Sequence, residues 1–285
     1  MGMGHSSVTS LQVLVNVKLV NEFAKRLILL PMQENTTVIL LTAEKSTSPE
    51  RVEQAIAGLH LAFRVPVQYI ETDESAEWEN SHSVICTRKP GNLWKAMARA
   101  TEEMKATFAC VLATPVSGSM LGGGMGSRIG KFACSVIYLN PQSNWCKPQA
   151  ILMHLGTLSE SRQKLYPVSV LSKAFFVPVN IVGLTSSKSQ EDENYLAIYC
   201  RQAEEYLAKK GVRSSCKEQQ IGTDVTARLL ELSSAQGCHW LSILNETDSD
   251  RMFKTSMVQH VCNKATVPLL ITPRQEVVGM GGSGY

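Results

Sequence analysis

The chain lacks long apolar segments and carries little excess charge of either sign. No stretch reaches the ~20 apolar residues that span a bilayer, because polar or charged residues interrupt even the best candidate, 11–30. The net charge is only +3, from 28 Lys and Arg against 25 Asp and Glu. A surplus this small and dispersed gives no basis for nucleic-acid binding. We therefore expect neither a membrane span within this chain nor a nucleic-acid partner.

The sequence also lacks the patterns of a secreted or disulfide-rich protein. None of the eight cysteines forms a C-x-x-C pair, and Cys110, Cys134, Cys238 and Cys262 lie inside apolar runs. Residues 1–10 have no basic segment followed by an apolar core, as a signal peptide would. These features predict reduced thiols and a cytoplasmic location, with 1–10 as a disordered leader.

Signatures of catalysis and metal binding are absent as well. The six histidines lie at no metal-ligand spacing, and neither a Gly-x-Ser-x-Gly elbow nor a Walker A loop occurs. Four carboxylates between positions 73 and 79 share one polar loop, which is typical of a solvated segment. We therefore predict no catalytic residue, no metal ligand, no cofactor-binding residue and no cofactor. The chain is not expected to be an enzyme.

The main feature that the sequence does contain is a divergent internal duplication. Two apolar segments that end in proline, 135–141 (SVIYLNP) and 267–273 (VPLLITP), each follow another apolar run, 108–113 and 240–244. The matching distances indicate a repeated unit of roughly 130 residues, the size of a small domain. The predicted organisation is a leader at 1–10, domain 1 at 11–141, a linker at 142–149, domain 2 at 150–274 and a flexible tail at 275–285.

Apolar strands alternate with amphipathic helices in both halves, which predicts parallel sheets covered on both faces. The predicted strands are 11–17, 37–42, 66–70, 108–113 and 135–139 in the first half, with a short extra strand at 82–87, and 150–155, 177–184, 214–221, 240–244 and 267–272 in the second. The predicted helices are 19–30, 51–63, 93–105, 159–174, 191–210, 223–234 and 251–264. The predicted fold class is α/β, with two tandem five-stranded parallel-sheet sandwiches related by a pseudo-twofold axis.

The end of the second half resembles the C-terminal signature of universal stress proteins. There a Gly-Ser/Thr pair opens a helix that ends in alanine and is followed by a proline-anchored apolar strand. Here Thr255-Ser256, Ala265 and the segment 267–273 follow that order, and 133–141 is similar in the first half. The resemblance implies the universal stress protein fold for both halves.

The second half has lost the family's nucleotide motif. Nucleotide-binding members carry Gly-x2-Gly-x9-Gly-Ser/Thr, whose glycines let backbone amides approach phosphates. The spacing survives here as Ser242, Asn245 and Thr255-Ser256, without the glycines. Two acidic residues within the motif, Asp248 and Asp250, would repel a phosphate. The aspartate that those members place after the first strand is missing from 17–19 and from 155–157.

The first half is richer in glycine but matches the motif no better. Counting back from the proline, Gly123-Gly124 falls at the Gly-Ser/Thr position, while Cys110 and Ala113 replace the earlier glycines. The cluster Gly122, Gly123, Gly124 and Gly126 could cradle an anion or allow close backbone approach at an interface. We favour the structural interpretation and predict that neither half binds ATP strongly.

Two functions from different classes fit these expectations. The first is a non-catalytic regulatory and dimerisation domain of a cation–chloride cotransporter or cation/proton antiporter. Tandem folds similar to this one follow the membrane helices in such transporters, and the abrupt start of the chain favours a fragment. Its partners would be a second copy and the transmembrane domain of the same polypeptide, at the cytoplasmic face of the cell membrane. The alternative is a stand-alone tandem universal stress protein that binds a nucleotide or another small ligand.

Overall fold

The computed structural model of the chain describes residues 11–16, 37–42, 67–69, 84–86, 93–103, 108–112, 124–140, 148–221, 224–235, 239–246 and 257–275. The predicted leader, the predicted helices at 19–30 and 51–63, most of the predicted linker and the tail from 276 lie outside the described residues. Within these ranges, no helix is long and apolar enough to cross a membrane.

The first half contributes six strands and two helices to the described part of the chain. The strands are β1 (Leu11–Asn16), β2 (Thr37–Thr42), β3 (Val67–Tyr69), β4 (Val84–Cys86), β5 (Phe108–Leu112) and β6 (Ser135–Leu139). The helices are α1 (Leu93–Glu103) and α2 (Met125–Ile129).

The second half contributes five strands, four α-helices and one 3-10 helix. The strands are β7 (Ala150–Leu155), β8 (Val179–Thr185), β9 (Ser214–Gln220), β10 (His239–Asn245) and β11 (Leu269–Pro273). The α-helices are α3 (Leu165–Phe175), α4 (Gln190–Lys209), α5 (Val225–Ala235) and α6 (Met257–Lys264), and the 3-10 helix is Ser159–Lys164.

Nine of the strands form one continuous sheet in the order β2-β1-β5-β6-β11-β10-β7-β8-β9. Every neighbouring pair is parallel except β6 and β11, which are antiparallel. The prediction of a mixed α/β fold dominated by parallel pairing is therefore confirmed. We call the β6–β11 pair the seam, because it joins the strands of the two halves.

The predicted layout of two separate five-stranded sheets differs from the one observed. In the described residues, the first half gives only four strands to the large sheet, while β3 and β4 pair with each other. The short strand β4 lies alongside β2, so β3 is displaced from the position that β9 takes beside β8. The antiparallel pairing at the seam then merges the remaining strands into one sheet.

The seam has a reciprocal register. Tyr138 lies opposite Leu269, and Ile137 lies opposite Leu270. Counting back from the proline that ends each apolar run, Leu269 corresponds to Ile137 and Leu270 to Tyr138. The residue opposite Tyr138 is thus the counterpart of Ile137, and the residue opposite Ile137 is the counterpart of Tyr138. A twofold axis through the seam produces this register. All five residues of both strands are buried, so the seam is part of the core.

The sheet is covered on both faces. Leu241 and Ile243 of β10 belong to one hydrophobic cluster with residues of α1, α2, α5 and α6. Neighbouring residues of a strand point to opposite faces, and Trp240 accordingly packs elsewhere, edge-on against Phe175 of α3 at a centroid distance of 4.9 Å. This double covering explains why β6, β7, β10 and β11 are buried along their whole length and show no alternation.

Two local signals act as the sequence predicts. Pro167 shortens the predicted helix 159–174, because the segment opens as a 3-10 helix and the α-helix starts only at Leu165. Pro167 then lies in the first turn, where its missing N–H has no partner to lose. Gly211 ends α4 with φ 72, and its N–H donates to the Ala208 carbonyl at 2.9 Å. This is a glycine C-terminal cap.

Candidate functional site

The candidate site lies where the strand order reverses in the second half. From β7, the chain continues outward through β8 and β9, while β10 and β11 lie on the other side of β7. Ligands of open parallel sheets bind at such a switch point, beyond the carboxyl ends of the strands. The residues at this place are the last residues of β7 and β10 and the 3-10 helix, which contacts both strands.

A fully buried lysine occupies this switch point. The side chain of Lys164 has no exposed surface, and its Nζ donates to Ser161 Oγ at 2.9 Å. The same oxygen accepts the N–H of Gly156, the residue after β7, at 3.0 Å. Burial lowers the pKa of Lys164 to about 7, and the charge of Glu246 opposes that shift. The protein thus fills the place of a ligand with its own polar side chains.

His154 is the second buried titratable group at this edge. It precedes the last residue of β7 and is only 4% exposed. Burial, followed by the nearby charge of Lys164, lowers the pKa of His154 to about 3, against a weaker effect from the Leu184 backbone. Neither ring nitrogen has a hydrogen bond of ordinary geometry among the described residues. The imidazole is therefore neutral at physiological pH.

Two of the degenerate motif positions are buried side chains of β10. Asn245 Nδ2 donates to the carbonyl oxygen of Gly126 in α2 at 2.8 Å, so the first half is the partner of this residue. Ser242 has no exposed surface. Within the described part of the chain, Ser242 Oγ and Asn245 Oδ1 have no hydrogen-bond partner. The other motif positions, 248, 250, 255 and 256, lie outside the described residues.

A glutamine from the second half caps the start of α2. The N–H of Met125 donates to Gln259 Oε1 at 2.6 Å, and Gln259 Nε2 donates to Asn263 Oδ1 at 2.9 Å. A Cβ placed on Gly124 would lie 2.5 Å from that same Oε1, closer than real Cβ contacts come. At Gly124, glycine therefore serves close approach across an interface. We call the contacts of Gly124, Met125 and Gly126 with Gln259 and Asn245 the interlock.

Two observations on the described residues argue against a bound phosphate. The amide at the start of α2 already donates to Gln259. In the second half, the structure describes two motif positions, Ser242 and Asn245. Both carry a side chain where the glycine of the motif would let a phosphate approach the backbone. Among the described residues, no group of three or more His, Cys, Asp or Glu could hold a metal ion.

No sequence pattern marks Lys164 and Gln259, the two side chains on which the site depends most. Lys164 has an ordinary helical context, and nothing local distinguishes it from a solvated lysine. Gln259 lies within a predicted helix, with no partner recognisable in the chain nearby. The contact of Gln259 depends on packing between distant segments, since Gln259 and Met125 are 134 residues apart.

The comparisons with known proteins show the fold alone. No family model and no curated protein sequence matches the chain significantly. A universal stress protein from Archaeoglobus fulgidus DSM 4304 aligns with a TM-score of 0.57 at 10% identity, covering 93% of this chain and 97% of that one. A protein described as a candidate universal stress protein from Pseudomonas aeruginosa UCBPP-PA14 gives 0.56 at 10% identity, covering 93% of each chain.

A third solved structure scores lower. The cytoplasmic domain of a prokaryotic cation chloride cotransporter aligns with a TM-score of 0.49 at 12% identity, covering 92% of this chain and 94% of that one. At that score, no inference about function follows. Together, the sheet order and the two stronger similarities show that this chain has a universal stress protein-like α/β fold.

Proposed function

We propose that this chain is a non-catalytic scaffold, the cytoplasmic regulatory and dimerisation domain of a membrane ion transporter. The transporter would be of the cation–chloride cotransporter or cation/proton antiporter type. The observation that supports a scaffold is the interlock. The N–H of Met125 at the start of α2 donates to Gln259, and Asn245 donates to the carbonyl oxygen of the next residue, Gly126.

The buried charge at the switch point supports the same proposal. Lys164 and Ser161 are buried side chains of the 3-10 helix itself, so a ligand could take their place only if this helix moved away. Burying the lysine amine again after each binding event would be costly. A fixed internal cluster of this kind suits a domain that transmits position better than one that exchanges a nucleotide.

A regulatory domain attached to a transmembrane domain needs to move as a rigid body. Ten buried residues at the seam couple the two halves into one sheet. Attached to a transmembrane domain at the cytoplasmic face of the membrane, such a body would carry motion as a unit. A second copy would pair with it about a twofold axis, as most homo-oligomers do.

Calorimetry tests the loss of nucleotide binding. Titration of the chain with Mg-ATP and, separately, with AMP should give no binding heat with a micromolar Kd. As a matched control, the same titrations should be repeated on the Gln259→Ala variant, which frees the amide of Met125. A micromolar Kd for the unmodified chain would overturn the scaffold proposal.

Cell fractionation tests the proposed setting. An antibody raised against this chain should detect, in the membrane fraction, a polypeptide larger than the 31.3 kDa of this sequence. A band of 31.3 kDa confined to the soluble fraction would contradict the transporter proposal. Light scattering of the chain at tens of micromolar should give twice this mass, and a monomer would contradict dimerisation.

One observation favours the alternative, a stand-alone binding protein. His154 and Asn245 point to the same face of neighbouring strands, since Ser242 pairs with Met153 and side chains alternate. Both are buried, and each has polar atoms without a partner among the described residues. A small polar ligand could satisfy such atoms. The same calorimetry, extended to other nucleotides, decides between the two functions.

A further inference from the structure

Two cysteines face each other between α4 and the edge strand β9. Cys200 lies on α4 with 1% of its surface exposed, while Cys216 in β9 is half-buried. Both are free thiols. The two side chains are in hydrogen-bonding contact with each other. Nothing in the local sequence pairs them, since 16 residues separate them along the chain.

The surrounding backbone fixes this contact. Cys200 Sγ lies 2.9 Å from the place where a Cβ on Gly183 would be, so the missing side chain makes room for the thiol above β8. Ile181 pairs with Cys216 across the sheet, and Ile181 and Gly183 point to the same face. Cys216 therefore points toward α4, as Cys200 points toward the sheet.

A hydrogen bond holds the helix and the strand in this position. Glu204 lies one turn after Cys200 on α4, and its Oε1 accepts the N–H of Cys216 at 2.9 Å. This bond also covers one donor on the free edge of the sheet, where unpaired backbone groups are otherwise exposed. The two thiols are thus positioned by α4, β8 and β9 together.

We propose that Cys200 and Cys216 are a modification site, a thiol pair that a peroxide converts reversibly to a disulfide. The thiolate of Cys216, the more exposed of the two, attacks one peroxide oxygen. The O–O bond breaks, and a cysteine sulfenic acid and water form. The thiol of Cys200 then attacks that sulfur, the S–O bond breaks, and a second water leaves. Two electrons pass from the two sulfurs to one peroxide.

The electrostatic surroundings give the reaction a distinctive rate profile. The neighbouring Cys200 thiol, then burial, then the carboxylates of Glu204 and Glu218 raise the pKa of Cys216 above its usual range. The strand on its other side, β8, has no titratable side chain. Because the thiolate is the nucleophile, oxidation should be slow at pH 7 and accelerate by about tenfold per pH unit up to pH 9. The bond would therefore record prolonged oxidation rather than brief pulses.

The test is peroxide treatment of the whole chain, followed by intact mass and tryptic mapping. We expect a loss of two hydrogens and a cross-linked pair of the peptides 189–201 and 214–217, both reversed by dithiothreitol. Closing this loop should raise the Tm by about 5–10 °C. A chain that accumulates only sulfinic acid at Cys216, or that links either thiol to a different cysteine, would overturn the proposal.

Variants separate this bond from general oxidation. Cys216→Ser should abolish the cross-link and the Tm shift, and Cys200→Ser should leave Cys216 trapped as the sulfenic acid. Cys134→Ser is the matched control, since Cys134 is buried at the start of the first half's seam strand and should leave both readouts unchanged. If Cys216→Ser retains the peroxide-induced Tm shift, the pair is not the responsible site.

Discussion

The two halves differ most clearly at the interlock. There the first half offers only backbone, the N–H of Met125 and the carbonyl oxygen of Gly126, while the second offers the side chains of Gln259 and Asn245. Counting back from the proline of each copy, Gln259 corresponds to Ser127, which is exposed. Among the residues that the structure describes, these contacts run in one direction only.

This difference explains why glycine stands at position 124 and asparagine at position 245. Glycine remains at position 124 because Gln259 leaves no room for a Cβ. Asn245 stands where the motif has glycine, and there its amide bonds to the first half. Glycine at 124 and asparagine at 245 thus serve the same interface between the two halves.

The largest expected effect concerns the two buried titratable groups of the second half, Lys164 and His154. Lys164 has its pKa lowered to about 7 and His154 to about 3. Each group binds more protons in the unfolded chain, so stability rises with pH between about 7 and 10.5 for Lys164 and between about 3 and 6.5 for His154. Each window could contribute up to about 5 kcal/mol to the free energy of unfolding. Urea denaturation across these pH values measures both slopes.

The variant Lys164→Met should flatten the upper window and only narrow the lower one, because burial, more than the charge of Lys164, lowers the pKa of His154. This control separates Lys164 from the other titrating groups of the chain. An unchanged slope between pH 7 and 10 in this variant would mean that Lys164 does not set the alkaline dependence of the free energy of unfolding.

A change of Asn245 tests the interlock from the second half. Asn245→Asp removes the donor to the Gly126 carbonyl and places a carboxylate where the side chain is fully buried. We expect a loss of about 3 kcal/mol or more in the free energy of unfolding. Asn263→Asp, at an exposed position of α6, is the control, since a carboxylate still accepts from Gln259, and it should change stability by less than about 0.5 kcal/mol. Equal losses in the two variants would argue against the interlock.

Counterpart positions in the two halves give the sharpest version of the comparison. Gln259→Ala leaves the buried N–H of Met125 without its acceptor, which should lower the free energy of unfolding by about 1–3 kcal/mol. Ser127→Ala, the counterpart change in the first half, should have almost no effect because Ser127 is exposed. Chemical denaturation of the two variants checks this, and similar losses would show that the contacts are symmetric after all.

The smallest effect is expected at the glycine itself. Gly124→Ala places a Cβ against Gln259 Oε1 and should cost about 1–2 kcal/mol as that side chain moves away. Gly156→Ala is the control, because its Cβ would meet only His154 at 3.7 Å. In a Gln259→Ala background the Gly124→Ala cost should vanish, so the two changes should be non-additive. Additive losses in this double-mutant cycle would exclude a direct clash.

Local patterns were enough to predict most of the described elements. The strands β2, β6 and β7 have the predicted bounds, and the polar strand β9 lies at the sheet edge, as its composition predicts. A buried strand is marked by a short apolar run, and the edge strand β9 by a polar one. Both marks are properties of adjacent residues. The turn residues Pro167 and Gly211 act through their own backbone geometry, so they too are readable locally.

The parts that escaped prediction depend on contacts between distant residues. Apolar periodicity does not say which strand lies beside which, so the antiparallel seam and the separate β3–β4 pair could not be predicted. The burial of Lys164 and the capping role of Gln259 depend on which segment covers them. Both residues would suit a solvated helix face equally well, so the sequence around them carries no distinguishing signal.

The seam also limits how this gene could be shortened. Because β6 and β11 are interior strands with all residues buried, a transcript encoding either half alone would translate into a protein with a bare apolar edge. Free N–H and C=O groups on such an edge recruit another strand. Half-length products should therefore pair with each other across this edge or precipitate. Splitting the gene would expose strands that the intact protein buries in the interior of its sheet.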